Sequence, residues 1–138
     1  MTLIETLNKT DRFAANNGIQ LTEVREGYAK AEMTVEECHL NGGGVCQGGA
    51  IFTLVDLAFA AVCNSHGLLT FGINNSICFL RSALLEDHLI AEATEVCNHH
   101  RLPYCDIKVH NQDGELIATG TGQGYRKREV FPYDSLMY

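Results

Sequence analysis

Gly48-Gly49-Ala50-Ile51-Phe52-Thr53-Leu54-Val55-Asp56-Leu57-Ala58-Phe59-Ala60-Ala61-Val62-Cys63-Asn64-Ser65 is apolar at nearly every position after its glycines and carries a single charge. Apolar residues that run almost all the way round a helical wheel predict a helix covered on most sides, here from about Gly49 to Ser65. Asp56 is the exception within it. An unpaired carboxylate in such surroundings is costly or has its pKa pushed up, so it must be compensated or put to use. The stretch just before it, Asn41-Gly42-Gly43-Gly44-Val45-Cys46-Gln47-Gly48-Gly49, is rich enough in glycine for backbone NH groups to come close to a ligand. Loop, covered helix and lone acid together read as a catalytic site.

On the N-terminal side, Leu3, Ile4, Leu7, Phe13 and Ala14 recur near helical spacing and Asn17-Gly18 supplies a stop, which predicts one amphipathic helix over 3–16. Segments 19–24 and 28–35 alternate apolar with polar residues around Glu26-Gly27 and predict a hairpin. After His66-Gly67 the period becomes two, and 71–81, 88–97, 104–110 and 115–125 read as strands separated by turn-forming clusters. Six strands and one covered helix predict an α+β domain over residues 1–138, in which a curved antiparallel sheet wraps the long central helix and an N-terminal helix precedes it.

Composition narrows the function classes. The formal net charge of −7 opposes general nucleic-acid binding, which rests on basic surface. Arg126-Lys127-Arg128 is the one basic cluster, read as a solvated terminal stretch. Six cysteines without any C-x-x-C pair read as buried, reduced thiols. Residues 1–18 lack the uninterrupted apolar segment of a signal peptide, and the longest apolar run falls short of the roughly 20 residues of a membrane span. A soluble, cytoplasmic protein is expected. Val130 to Tyr138 reads as a frayed tail.

The residues His39-Leu40-Asn41 through Gln47-Gly48-Gly49, then Phe52-Thr53-Leu54-Val55-Asp56, Ala58-Phe59-Ala60 and Asn64-Ser65-His66-Gly67, resemble the signature of PaaI-type hotdog-fold thioesterases. The likeness continues into Cys78-Phe79-Leu80-Arg81 and spans roughly residues 10–127. That family hydrolyses acyl-CoA thioesters, notably phenylacetyl-CoA derivatives. The resemblance implies a hotdog fold, an aryl or medium-chain acyl-CoA substrate, no cofactor beyond the coenzyme A of that substrate, and a homodimer often doubled to a tetramer. It also implies that Asp56 is the catalytic carboxylate, that the Gly48 backbone NH holds the thioester oxygen, and that Asn41 is a polar helper. The departure is Gln47, where the family has histidine. Glutamine keeps hydrogen-bonding capacity but does not titrate.

Chemistry and geometry give these positions a physical meaning. Thioester hydrolysis places negative charge on the carbonyl oxygen, and free NH groups at a helix N-terminus are suited to receive it. Asp56 suits either activation of water or direct attack on the acyl carbon, and both roles stay open. Gly48 and Asp56 are separated by eight positions, about 12 Å along one helix. For both to act on one carbonyl, the donor comes from one chain and the acid from another, as an isologous dimer with antiparallel helices would arrange. Substrate-binding candidates are Gln47 and Gly49 in the loop, Asn74 on a strand facing the cleft, and Arg81 reaching a CoA phosphate; plain sheet surface and a solvated arginine are the ordinary readings of the last two. His99 and His100 have no partner at metal-ligand spacing, so no metal site is assigned. The alternatives are a non-catalytic acyl-CoA-binding hotdog protein and a hotdog hydratase, the latter needing a histidine paired with an acid, for which His39 is the nearest substitute.

Overall fold

A computed structural model describes residues 1–134, 137 and 138. Helix α1 (Leu3–Thr10) begins with a reciprocal cap, in which Thr2 Oγ1 accepts from the Glu5 amide at 3.1 Å and Glu5 Oε2 accepts from the Thr2 amide at 3.0 Å. The single helix expected over 3–16 is instead two. Asp11 takes a non-helical conformation, and its Oδ1 accepts from the Ala14 amide at 3.1 Å, so it caps a second helix, α2 (Arg12–Asn16). An aspartate competes for backbone donors this way more readily than it continues a helix.

Strands β1 (Gln20–Arg25) and β2 (Tyr28–Thr34) form the expected hairpin, with Gly27 at φ 76 in its turn. A loop containing a short 3-10 turn, Glu37–His39, leads to helix α3 (Gly48–Asn64). Strands β3 (Leu68–Phe79), β4 (His88–Cys97), β5 (Tyr104–His110) and β6 (Leu116–Val130) complete one six-stranded antiparallel sheet in the order β1-β2-β4-β5-β6-β3. Helix α3 touches every strand of it. Ala29, Ala31, Ala91 and Ala93 are fully buried on β2 and β4, so small side chains let the helix sit close while Leu54, Leu57, Phe59 and Val62 fill the space between. A curled antiparallel sheet swallowing one long helix is the hotdog architecture.

The β6 end differs from expectation. The strand runs on to Val130, and Arg126 of the supposedly solvated basic stretch is buried, its Nη1 donating to Asn98 Oδ1 at 2.8 Å. Beyond it the chain docks rather than frays: the Phe131 amide donates to the Gly67 carbonyl, and the Tyr133 hydroxyl donates to the Asn64 and Ser65 carbonyls at the end of α3. Residues 135 and 136 of that expected tail lie outside the described residues. Helix ends leave carbonyls unpaired, and Tyr133 supplies one of the missing donors. The cysteines also divide: Cys46, Cys63 and Cys105 are buried, whereas Cys38, Cys78 and Cys97 are exposed.

Candidate active site

The loop ahead of α3 is held by the backbone. The Cys46 amide donates to the Ala83 carbonyl at 2.8 Å and the Gln47 amide to the His39 carbonyl at 2.7 Å. Ala50 and Ile51 both donate to the Gln47 carbonyl, so the amides of Gly48 and Gly49, which precede them, have no intrahelical acceptor. These are the free donors a helix start provides. The two glycines have a further cause. A Cβ on Gly48 would lie 2.9 Å from Phe79 Cζ, and one on Gly49 would lie 2.6 Å from Gln47 Oε1. Neighbouring side chains thus occupy the space that the sequence reading left to substrate.

Asn41 shapes the loop: its Oδ1 accepts from the Gly43 amide at 2.9 Å and from the Val45 amide at 3.2 Å. It borders a hollow of about 420 Å³ together with Gly48, Phe79 and Arg81. A larger hollow of about 680 Å³ lies on the other side of Phe79, bounded by Asp11, Phe13, Gly48, Gly49, Phe52, Thr53 and Asp56. Asp56 and the head of its own helix therefore open onto one depression, with three phenylalanine rings as its apolar walls.

Asp56 exposes much of its surface to this depression, yet its pKa is raised. Both hold at once, because the protein packed around the carboxyl displaces water while one side stays open. Burial is the largest cause, the negative charge of Asp11 adds to it, and a hydrogen bond from Asn75 Nδ2 to Asp56 Oδ1 at 3.0 Å opposes both. Asp11 enters the site because the helix breaks there.

The other candidates are spread around this centre. Gln47 borders a smaller cavity of about 180 Å³ beside the main one, with Phe13, Gly49 and Thr53 shared between the two. Arg81 is largely solvated, 3.6 Å from Glu115. Asn74 is exposed and lines none of the hollows at the site; its neighbour Asn75 is instead brought to the Asp56 carboxyl, because a bulge between Gly72 and Asn74 changes which positions face inward. His39 is buried, with Nδ1 accepting from the Glu36 amide and Nε2 placed 2.6 Å from the Asn17 carbonyl, so both ring nitrogens serve the backbone. Asp11 and the phenylalanine walls are what the sequence reading missed, and among the polar strand residues Asn74, Asn75 and Ser76 it chose Asn74 rather than Asn75. A carboxylate ahead of Arg12-Phe13-Ala14 is a legible cap signal. The phase of Asn75 has no such signal.

The Thioesterase superfamily profile matches residues 43–118, which include the end of the loop from Gly43, α3 and strands β3 to β5. Acyl-coenzyme A thioesterase PaaI of Escherichia coli is 36% identical over 118 residues, covering 86% of this chain and 84% of that protein. Its solved structure superposes with a TM-score of 0.88, over 91% of each chain. A putative esterase of Archaeoglobus fulgidus is 42% identical over 124 residues, covering 90% of this chain and 80% of that one. The Streptococcus mutans protein smu.793, solved bound to acetyl CoA, matches with 26% identity and a TM-score of 0.78, over 82% of this chain and 91% of that one. With the hotdog fold, the free amides at the head of α3 and the acid on the same hollow already in place, these matches make the chain a member of the thioesterase superfamily, among its PaaI-type hotdog thioester hydrolases.

Proposed function

We propose that this protein hydrolyses the thioester of an aryl- or medium-chain acyl-CoA, releasing the carboxylic acid and the free coenzyme A thiol. The observation that carries this reading is the hollow onto which the Asp56 carboxyl and the rings of Phe13, Phe52 and Phe79 open, beside a helix head whose Gly48 and Gly49 amides lack intrahelical acceptors. Apolar walls suit an acyl group, unpaired amides suit its carbonyl oxygen, and an acid suits activation of water or attack on the acyl carbon. No metal or redox partner is needed for that chemistry.

Within one helix, Gly48 and Asp56 remain about 12 Å apart, too far to meet at one carbonyl. A homodimer resolves this by setting the head of one α3 against the acid of the other. Edge strand β3 is the natural seam, because it carries no charge or proline and exposes Phe71 and Ile73. Arg81, at the rim beside Asn41 and Gly48, is placed to meet a phosphate of the CoA portion. Coenzyme A carried by the acetyl CoA complex of smu.793 supports the same ligand class here.

The test is thiol release from a panel of acyl-CoAs, comparing the natural chain with Asp56→Asn. Turnover by the natural chain and a loss on the order of 10²- to 10⁴-fold in kcat for Asp56→Asn, with unchanged thermal stability, is the expected result. Tight acyl-CoA binding without turnover in the natural chain would instead make it a binding protein.

A further inference from the structure

The Asp56 carboxyl is held from the strand side by one group. Asn75, on β3, donates from Nδ2 to Asp56 Oδ1 at 3.0 Å, while its own Oδ1 is buried without a hydrogen-bond partner. Leaving a buried carbonyl oxygen unpaired is costly, so packing alone favours an apolar side chain of the same shape at this place. Yet the surroundings are cut to fit the amide. A Cβ on Gly122 would lie 2.9 Å from Asn75 Oδ1, and one on Gly72 would lie 3.4 Å from Asn75 Nδ2. Two glycines and the bulge between Gly72 and Asn74 thus clear a slot that turns this side chain toward the acid.

We propose that Asn75 is the positioning residue of Asp56, fixing carboxyl Oδ1 and leaving Oδ2 as the oxygen that performs the chemistry. The proposal rests on the catalytic reading of Asp56 given above. A single directed donor does two things for a carboxylate in a hollow: it favours the anion, and it limits rotation about the Cβ–Cγ bond. The charged group facing Asp56 from the other side is Asp11, at the α1–α2 junction, and it works against the anion. Closing the hollow with a second subunit would remove more water, which makes the donor from Asn75 weigh more.

Two near-isosteric variants test this, Asn75→Leu and Asn75→Asp, with pH–rate profiles measured on whichever acyl-CoA the natural chain turns over best. In Asn75→Leu the acid limb moves to higher pH, kcat on the acid side falls on the order of tenfold more than on the alkaline plateau, and the thermal midpoint does not fall. In Asn75→Asp two carboxyls share one proton, and the acid limb rises further. An acid limb that stays in place in both variants, whether or not stability falls, overturns the proposal, because a merely structural amide has no reason to move a titration. Asp56→Asn serves as the control. Wild-type turnover in that control sinks the reading of Asp56 itself, whereas an inactive control with an unmoved limb in the Asn75 variants sinks only the role of Asn75.

Discussion

Asp56 works between two side chains of opposite effect, and Asp11 is the one whose influence is easily removed. In the proposed reaction Asp56 acts as the anion, so its raised pKa places the expected acid limb of activity above the ordinary carboxylate range. Asp11 contributes to that rise by repulsion while its carboxyl caps α2. Asn also caps helices well, so Asp11→Asn keeps the bond to the Ala14 amide and loses the charge. Expected in a pH–rate profile is an acid limb displaced toward lower pH, with activity on the acid side raised a few-fold. A limb that does not move would show that the two carboxyls are electrically independent.

Helix α3 and strand β6 approach closely only because β6 presents glycine where the helix presents bulk. A Cβ on Gly122 would lie 2.5 Å from Phe59 Cδ2 and 2.6 Å from Phe59 Cε2, with the ring fully enclosed. Gly120 is similarly tight, its Cβ site 3.1 Å from the Ser76 carbonyl oxygen. Gly122→Ala forces Phe59 and Asn75 to shift and is expected to cost about 1–3 kcal/mol in chemical denaturation, the range for overpacking a filled core. Because Asn75 lines the same slot, turnover should fall with it. An alanine variant of natural stability would mean that the sheet yields at this point. The break between α1 and α2 is a second case of an element adjusted to the site, since a continuous helix would not have left Asp11 free to cap at the rim.

At the level of the whole molecule, the sheet has two open edges, β1 and β3, and they differ. The Asn8 side chain pairs twice with the backbone of Leu21, so helix α1 protects β1. Among the described residues strand β3 has no such cover; it carries no charge of its own and exposes apolar residues at Phe71, Ile73 and Phe79. If β3 is the seam of the proposed homodimer, Ile73→Lys places a charge on it and is expected to yield monomers in analytical ultracentrifugation, with thiol release falling in parallel because the proposed site takes its helix end from the partner. A monomeric variant at full activity would refute the shared site.

The sequence by itself carried the central helix, the strands and the position of the acid, because each leaves a local trace: apolar residues round a full helical wheel, period-two alternation, and one charge where none is expected. Asp56, Gly48 and the loop before them were therefore legible without coordinates. Asn75 was not. Alternation along Ile73-Asn74-Asn75-Ser76 is equally compatible with either asparagine facing inward, and the choice falls to a bulge created by pairing with β6, forty-odd residues away in the chain. The burial of Arg126, the docking of Tyr133 on the end of α3 and the entry of Asp11 into the hollow were decided in the same way. Each depends on which distant backbone group needs a partner, and only the folded chain brings such groups within reach.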